Sequence, residues 1–247
     1  MRDRRGRGAL WALAAIALIG CSGSAGGTTP APSTTASTTT TAAPLEIATS
    51  TTASASAGGD GFTATVSGVT AADLGLSWHE GCPTAPGALR TVVLTYWGFD
   101  DQPHDGAIVV AADLTDAVTA LFRQLYDARF PIHRLEPIAA FGGDDNASMA
   151  ADNTSGFNCR VAVAPGPPQW SAHAYGIAID VNPVENPYVQ DVGVLPPAGA
   201  DYVARSPYRP GMAVPNGPLT AAFAAAGWSW GGRWVTPDYQ HFSVDGR

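Results

Sequence analysis

Residues 171–182 read SAHAYGIAIDVN. A histidine and an aspartate stand seven positions apart there, with Gly176 between them, at the start of an apolar run. The run alternates. Ile177, Ile179 and Val181 fall on one face of a strand, and Ala178 and Asp180 on the other. The strand therefore has an apolar core face and a single carboxylate on its opposite face. Gly176 permits a tight turn that folds His173 back beside that carboxylate. A second stretch has the same character. DYQH at 238–241 leads into YQHFSV at 239–244, a final strand on which Tyr239, His241 and Ser243 share one face and Gln240 and Phe242 the other. Asp238 follows Pro237 and belongs to the turn that enters the strand. Three ligands, His173, Asp180 and His241, would leave one position open, which is the catalytic rather than the structural pattern for zinc. Asp238, a nearby carboxylate that is not a ligand, could take a proton from water and pass it to a leaving amine. Taken singly, a histidine is more often a hydrogen-bonded structural residue than a ligand. Two segments of matching character make a metal site a serious alternative.

Working outward, residues 61–247 have the size of one domain with one core. Residues 62–69, 91–99 and 106–112 read as strands, being β-branched, aromatic or alternating. From Thr115 a helix is expected. Val118, Leu121, Phe122, Leu125 and Tyr126 form its apolar stripe, Thr115 or Asp116 can cap it, and Pro131 ends it. Residues 132–141 read as a poorly alternating strand, and 144–158 as a polar loop with a short helix near 148–152. Residues 183–216, rich in Pro, Gly and Tyr, read as a long ordered loop. Residues 218–228 read as a short helix stopped by Gly227. This irregular order predicts an α+β fold, a small antiparallel sheet with flanking helices.

Residues 1–60 have a different composition. Arg2, Arg4, Arg5 and Arg7 precede an apolar run from Ala9 to Ile19, too short for a permanent membrane span and suited to a signal peptide over 1–20. Its end, Leu18-Ile19-Gly20-Cys21, resembles a lipobox, which implies lipidation of Cys21; the alternative is an ordinary signal peptide that contains a cysteine. Residues 21–60 are Ser, Thr, Ala, Gly and Pro with almost no charge, and are expected to be a disordered tether of about 35 Å mean span. Export with Cys82 and Cys159 remaining suggests one disulfide, the alternative being two buried thiols. Without the four arginines and one aspartate of residues 1–20 the net charge goes from −8 to −11, and there is no lysine. Such a chain is a poor nucleic-acid binder.

SAHAYGIAID and DYQHFS resemble the two signature segments of the D-alanyl-D-alanine carboxypeptidase family, the VanY-like zinc peptidases of peptidoglycan. DNTSGFNCR at 152–160, NPVENPYV at 182–189 and GWSWGGRW at 227–234 resemble the branch related to L-alanyl-D-glutamate peptidases. The likeness covers most of 80–245, with the motif core at 144–245. It implies a Zn2+ held by His173, Asp180 and His241, with Asp238 as general acid/base and Arg160 stabilising the developing oxyanion. Some relatives carry Glu where this chain has Asp238, one methylene longer. The implied substrates are peptidoglycan stem peptides, cut either as a D-Ala-D-Ala carboxypeptidase or as an L-Ala-D-Glu endopeptidase. The expected setting is extracytoplasmic, with the membrane touched only through the lipid on Cys21, and the expected state is a monomer. Two alternatives remain open here. One is a catalytically idle wall-binding domain; the other is a zinc hydrolase of another exported D-amino-acid peptide.

The remaining residues receive plainer readings. His79, His104 and His133 have no ligand-spaced partner and are expected at surface or structural positions. Trp228, Trp230 and Trp234 are expected in the core under the last strand, with a cleft wall as the alternative. Tyr188 and Tyr208 are candidates for lining the cleft.

Overall fold

The computed structural model describes residues 61–163 and 167–247. The expected signal peptide, Cys21 and the tether lie outside the described residues. The fold is α+β, with small antiparallel sheets and few helices. No helix among the described residues is long and apolar enough to cross a membrane.

The first layer is a meander. β1 (Ala64–Gly68) is followed by a one-turn helix α1 (Ala71–Leu74), then β2 (Leu89–Trp97) and β3 (Pro103–Ala111), in the order β1-β2-β3 and antiparallel throughout. Helix α2 (Thr115–Asp127) packs against β2, and its whole predicted stripe is buried. The expected cap is absent. Leu114, which has no polar side-chain atom, holds the N-cap position, and Thr115 Oγ1 donates back to the carbonyl of Ala112. Asp116 still lies in the first turn, where a negative charge favours the helix dipole. The helix stops when Arg129 turns the chain at φ 49°, two residues before Pro131.

The strand expected over 132–141 shrinks to β4 (Arg134–Leu135). Pro137 has no N–H for a ladder, and Ile138–Phe141 forms a 3-10 turn instead. Helix α3 (Asp145–Ala150) follows, capped by Asp144, which accepts from the amides of Asn146 and Ala147. β5 (Asn153–Thr154) then pairs with β4 in parallel, an exception to the antiparallel expectation.

The second layer carries the segment quoted first. β6 (Ala178–Asp180) is its first strand. The 183–216 stretch, expected to lack strands, contains a hairpin of β7 (Tyr188–Gln190) and β8 (Gly193–Leu195). Helix α4 (Pro218–Ala225) is ended by Gly227 at φ +81°, and β9 (Ser229–Trp230) and β10 (His241–Ser243) complete a sheet ordered β6-β10-β9. One core joins the two layers. Ile179, Val181 and Phe242 meet Val92, Leu94, Ile108, Leu121 and Phe122, and Phe223 stacks on Phe242 at 3.9 Å. Trp228 and Trp230 belong to this core as expected, whereas Trp234 does not.

Polar bonds hold the remainder of the 183–216 stretch. Arg205 donates four bonds of 2.7 Å, to the carbonyls of Glu185, Tyr202 and Ala213 and to Asn186 Oδ1. Asn186 in turn donates to the carbonyls of Val181 and Gly211. Asn182 ties the exit of β6 to Pro131 and His133. Cys82 and Cys159 form a disulfide across 77 residues, next to Arg160.

Candidate metal centre and catalytic cleft

The sheet register sets the site. β10 runs antiparallel to β6, and His241 stands directly opposite Asp180. His241 Nδ1 lies 3.0 Å from Asp180 Oδ1. His173 reaches the same carboxylate from a 3-10 turn, Ala172–Tyr175, whose start is fixed by Ser171 accepting from the His173 amide. Gly176 ends that turn at φ +70°, and a Cβ there would stand 2.7 Å from the Ala111 amide nitrogen. Only glycine gives both the left-handed turn and the close approach to β3. The result places His173 Nε2 3.1 Å from Asp180 Oδ2 and 3.2 Å from His241 Nδ1.

Both imidazoles are oriented from behind. His173 Nδ1 is 2.7 Å from the Gly156 carbonyl, so it donates there and presents Nε2 to the site. His241 is mounted the other way round: Nε2 lies 2.7 Å from the Arg247 carbonyl, and Nδ1 faces inward. All three residues are buried.

These donors suit a metal ion. His173, Asp180 and His241 are the one group among the described residues whose ligand atoms converge in this way. Their separations approach the edge, about 3.3 Å, of a tetrahedron with bonds of about 2.0–2.1 Å. Burial pushes the Asp180 carboxyl up, but the two imidazoles outweigh it and hold it well below the usual carboxylate range. Burial opposes charging of His241, but the bond and charge of Asp180 prevail and raise it. Two histidines crowding one buried carboxylate are a strongly polarised arrangement, and a cation between them would relieve it.

A cleft of about 700 Å³ opens over the three residues. Asp238 and Arg160 both line it, so the structure brings all five predicted site residues to one cavity. Asp238 makes an isolated bridge with Tyr188 and has a buried Oδ1 with no hydrogen-bond partner. Its burial, then the charge of Asp180, push its carboxyl up to about 7. Arg160 Nε lies 3.0 Å from Asp145 Oδ2.

Some cleft residues escaped the sequence reading, whereas Trp234 had a cleft wall as its alternative. Trp170, Val163, Asp145 and Val235 line the cleft and were not singled out, and Trp234 lines it with them. Trp234 is part exposed, with its ring 5.3 Å from that of His241, so it takes the cleft-wall role while its neighbours take the core role. Tyr188 lines the cleft and Tyr208 does not. His79, His104 and His133 stay outside it. His104 pairs with Asp100 at 2.9 Å, His133 lies 3.6 Å from Asp152, and His79 touches Cys159 Sγ at 3.5 Å.

Residues 165–244 match the family model described as D-alanyl-D-alanine carboxypeptidase. The matched stretch carries His173, Asp180, Asp238 and His241, and it supports the VanY-like peptidase family for the part of the chain that builds the site. Comparisons with curated proteins and with solved structures give no match.

Proposed function

We propose that the chain is an exported, lipid-anchored zinc peptidase that hydrolyses peptide bonds in peptidoglycan stem peptides, of the D-Ala-D-Ala carboxypeptidase or L-Ala-D-Glu endopeptidase type. One observation carries this reading: two buried imidazoles, each oriented by a main-chain carbonyl, converge with one carboxylate at 3.0–3.2 Å inside an open cleft.

His173, Asp180 and His241 would hold the ion, and a zinc there supplies Lewis acidity toward a carbonyl oxygen and toward water. The chain's own residues do the rest. Asp238 accepts a proton from the attacking water and returns it to the leaving nitrogen as the C–N bond breaks to an amine and a carboxylate. Arg160 donates to the carbonyl oxygen as negative charge grows there. The apolar walls keep bulk water from weakening these interactions.

An idle wall-binding domain is the weaker reading. A buried Asp238 oxygen without a partner costs stability, and a binder has no use for it. The test is hydrolysis of purified muropeptides by the zinc-loaded protein, followed by product mass. Asp238→Ala is expected to lower kcat by about 10²–10⁴-fold while zinc content holds and the melting temperature does not fall. A variant as active as the wild type would remove Asp238 from the reaction.

A further inference from the structure

Trp234 and Gly246 line two cavities, the catalytic cleft and a second pocket of about 360 Å³. Arg233, Trp228, Ser229 and Thr220 are also in the wall of the second pocket. None of His173, Asp180, His241, Asp238 and Arg160 lines it, and neither does any acidic residue. Arg233 is exposed, and its guanidinium has no ion pair or hydrogen bond among the described residues. The Trp228 indole N–H and the Ser229 hydroxyl are likewise without a partner among them. The other polar groups are committed. Trp230 Nε1 donates to the Tyr239 carbonyl at 2.9 Å, and Thr220 Oγ1 donates to the Val214 carbonyl at 2.7 Å. The arginines of the catalytic cleft are committed too, Arg160 to Asp145 at 3.0 Å and Arg247 to Asp245 at 2.7 Å.

What stays free in the second pocket is a cation and two further hydrogen-bond donors. That set fits a planar anion. A guanidinium takes a carboxylate through two parallel N–H bonds, and an indole N–H can only donate. A sugar is a poorer occupant, because its hydroxyls donate as well as accept and no side-chain carboxylate or amide is there to receive them. The whole chain carries a net charge of −8. An acidic group therefore gains nothing from the general field and depends on a local cation. Position relates the pocket to the reaction. The Trp234 ring is 5.3 Å from that of His241. An extended peptide advances about 3.3–3.6 Å per residue. A residue one or two places from a bond held beside His241 has the length to pass Trp234.

We propose that this pocket is a substrate subsite: Arg233, with Trp228 and Ser229, takes a free carboxylate that the stem peptide carries within two residues of the scissile bond, and the protein prefers peptides that bear it over those in which it is an amide. This rests on the peptidase reading above and adds a recognition element to it. In L-Ala-γ-D-Glu-meso-diaminopimelate-D-Ala-D-Ala two carboxylates meet the description, one on D-Glu and one at the end of the diaminopimelate side chain. Charge inside the catalytic cleft, that of a bound metal ion included, is untouched by a substitution at Arg233.

The test uses that peptide in three forms: both of those carboxyls free, the D-Glu α-carboxyl amidated, and the diaminopimelate side-chain carboxyl amidated. All three keep a free C-terminus. Binding to the zinc-loaded protein is read by tryptophan fluorescence, and cleavage by product mass. The wild type is expected to bind the free form about 10-fold more tightly than one of the amides, the size of a charge-assisted hydrogen bond. The amide that loses affinity identifies the carboxylate. Arg233→Gln is expected to bring that ratio within about 2-fold, and Arg233→Lys, a point charge without the fork, to keep part of it. Arg233 is exposed, so neither change threatens the fold. Damage elsewhere would weaken all three peptides together and leave the ratio unmoved. Three peptides bound alike by the wild type, or a preference that survives Arg233→Gln, overturns the proposal. The expected ratios without cleavage would uphold it and sink the peptidase reading; cleavage without preference would do the reverse. Failure of all three peptides to bind the wild type would sink both.

Discussion

Two regions of this domain are held by different forces. The layer of β1, β2, β3 and α2 rests on apolar contact: Val92, Leu94, Ile108, Leu121 and Phe122 are fully buried against one another. The 183–216 stretch beside the site has little such packing and is knitted by Arg205, Asn186 and Asn182 through main-chain carbonyls. Apolar packing is non-directional and tolerates drift, whereas a hydrogen-bonded knot fixes particular atoms.

Three substitutions sharpen that contrast. Phe122→Ala, in the apolar layer, is expected to cost about 3–5 kcal/mol in denaturant titrations and to leave activity per folded molecule unchanged. Loss of activity without loss of stability would break the division between the two regions. Arg205→Ala, in the knot, is expected to cost less, about 2–3 kcal/mol, but to reduce activity in the fully folded protein, because Tyr188 and Leu195 of the same stretch line the cleft. Peptide cleavage measured well below the melting temperature decides this, and full activity there would remove the knot from function.

The smallest expected effect is a slope. Burial, then the charge of Asp152, push the Glu185 carboxyl up from 4.5 to about 8. An acid raised in the folded state binds its proton more tightly there than when unfolded. Its contribution to stability is therefore complete below about pH 4.5 and declines as pH rises through about 8. Glu185→Gln should flatten the melting temperature against pH across that window. An unchanged slope would place the titration elsewhere.

The same contrast explains what the sequence reveals. The α2 stripe follows a period of 3.6, and β2 and β3 carry β-branched, aromatic or continuous apolar runs, patterns that apolar burial imposes on the chain. The quoted segment was legible for the same reason, since Ile179 and Val181 point to the core and leave Asp180 on the other face. The hydrogen-bonded knot imposes no period, so the β7–β8 hairpin inside 183–216 was missed. So were Asp145, whose partner Arg160 is fifteen residues on, and the Arg247 carbonyl behind His241, a main-chain atom that any residue could supply. The strand expected at 132–141 failed on Pro137, a residue whose missing N–H was visible from the start.

The claim on which the rest depends is that His173, Asp180 and His241 hold one metal ion. Zinc titration against a competing chelator, on the wild type and on His241→Ala, tests it most directly. The account predicts one zinc per chain in the wild type and its loss in the variant, with the variant still folded. No zinc in the wild type, or equal binding in both, would contradict it.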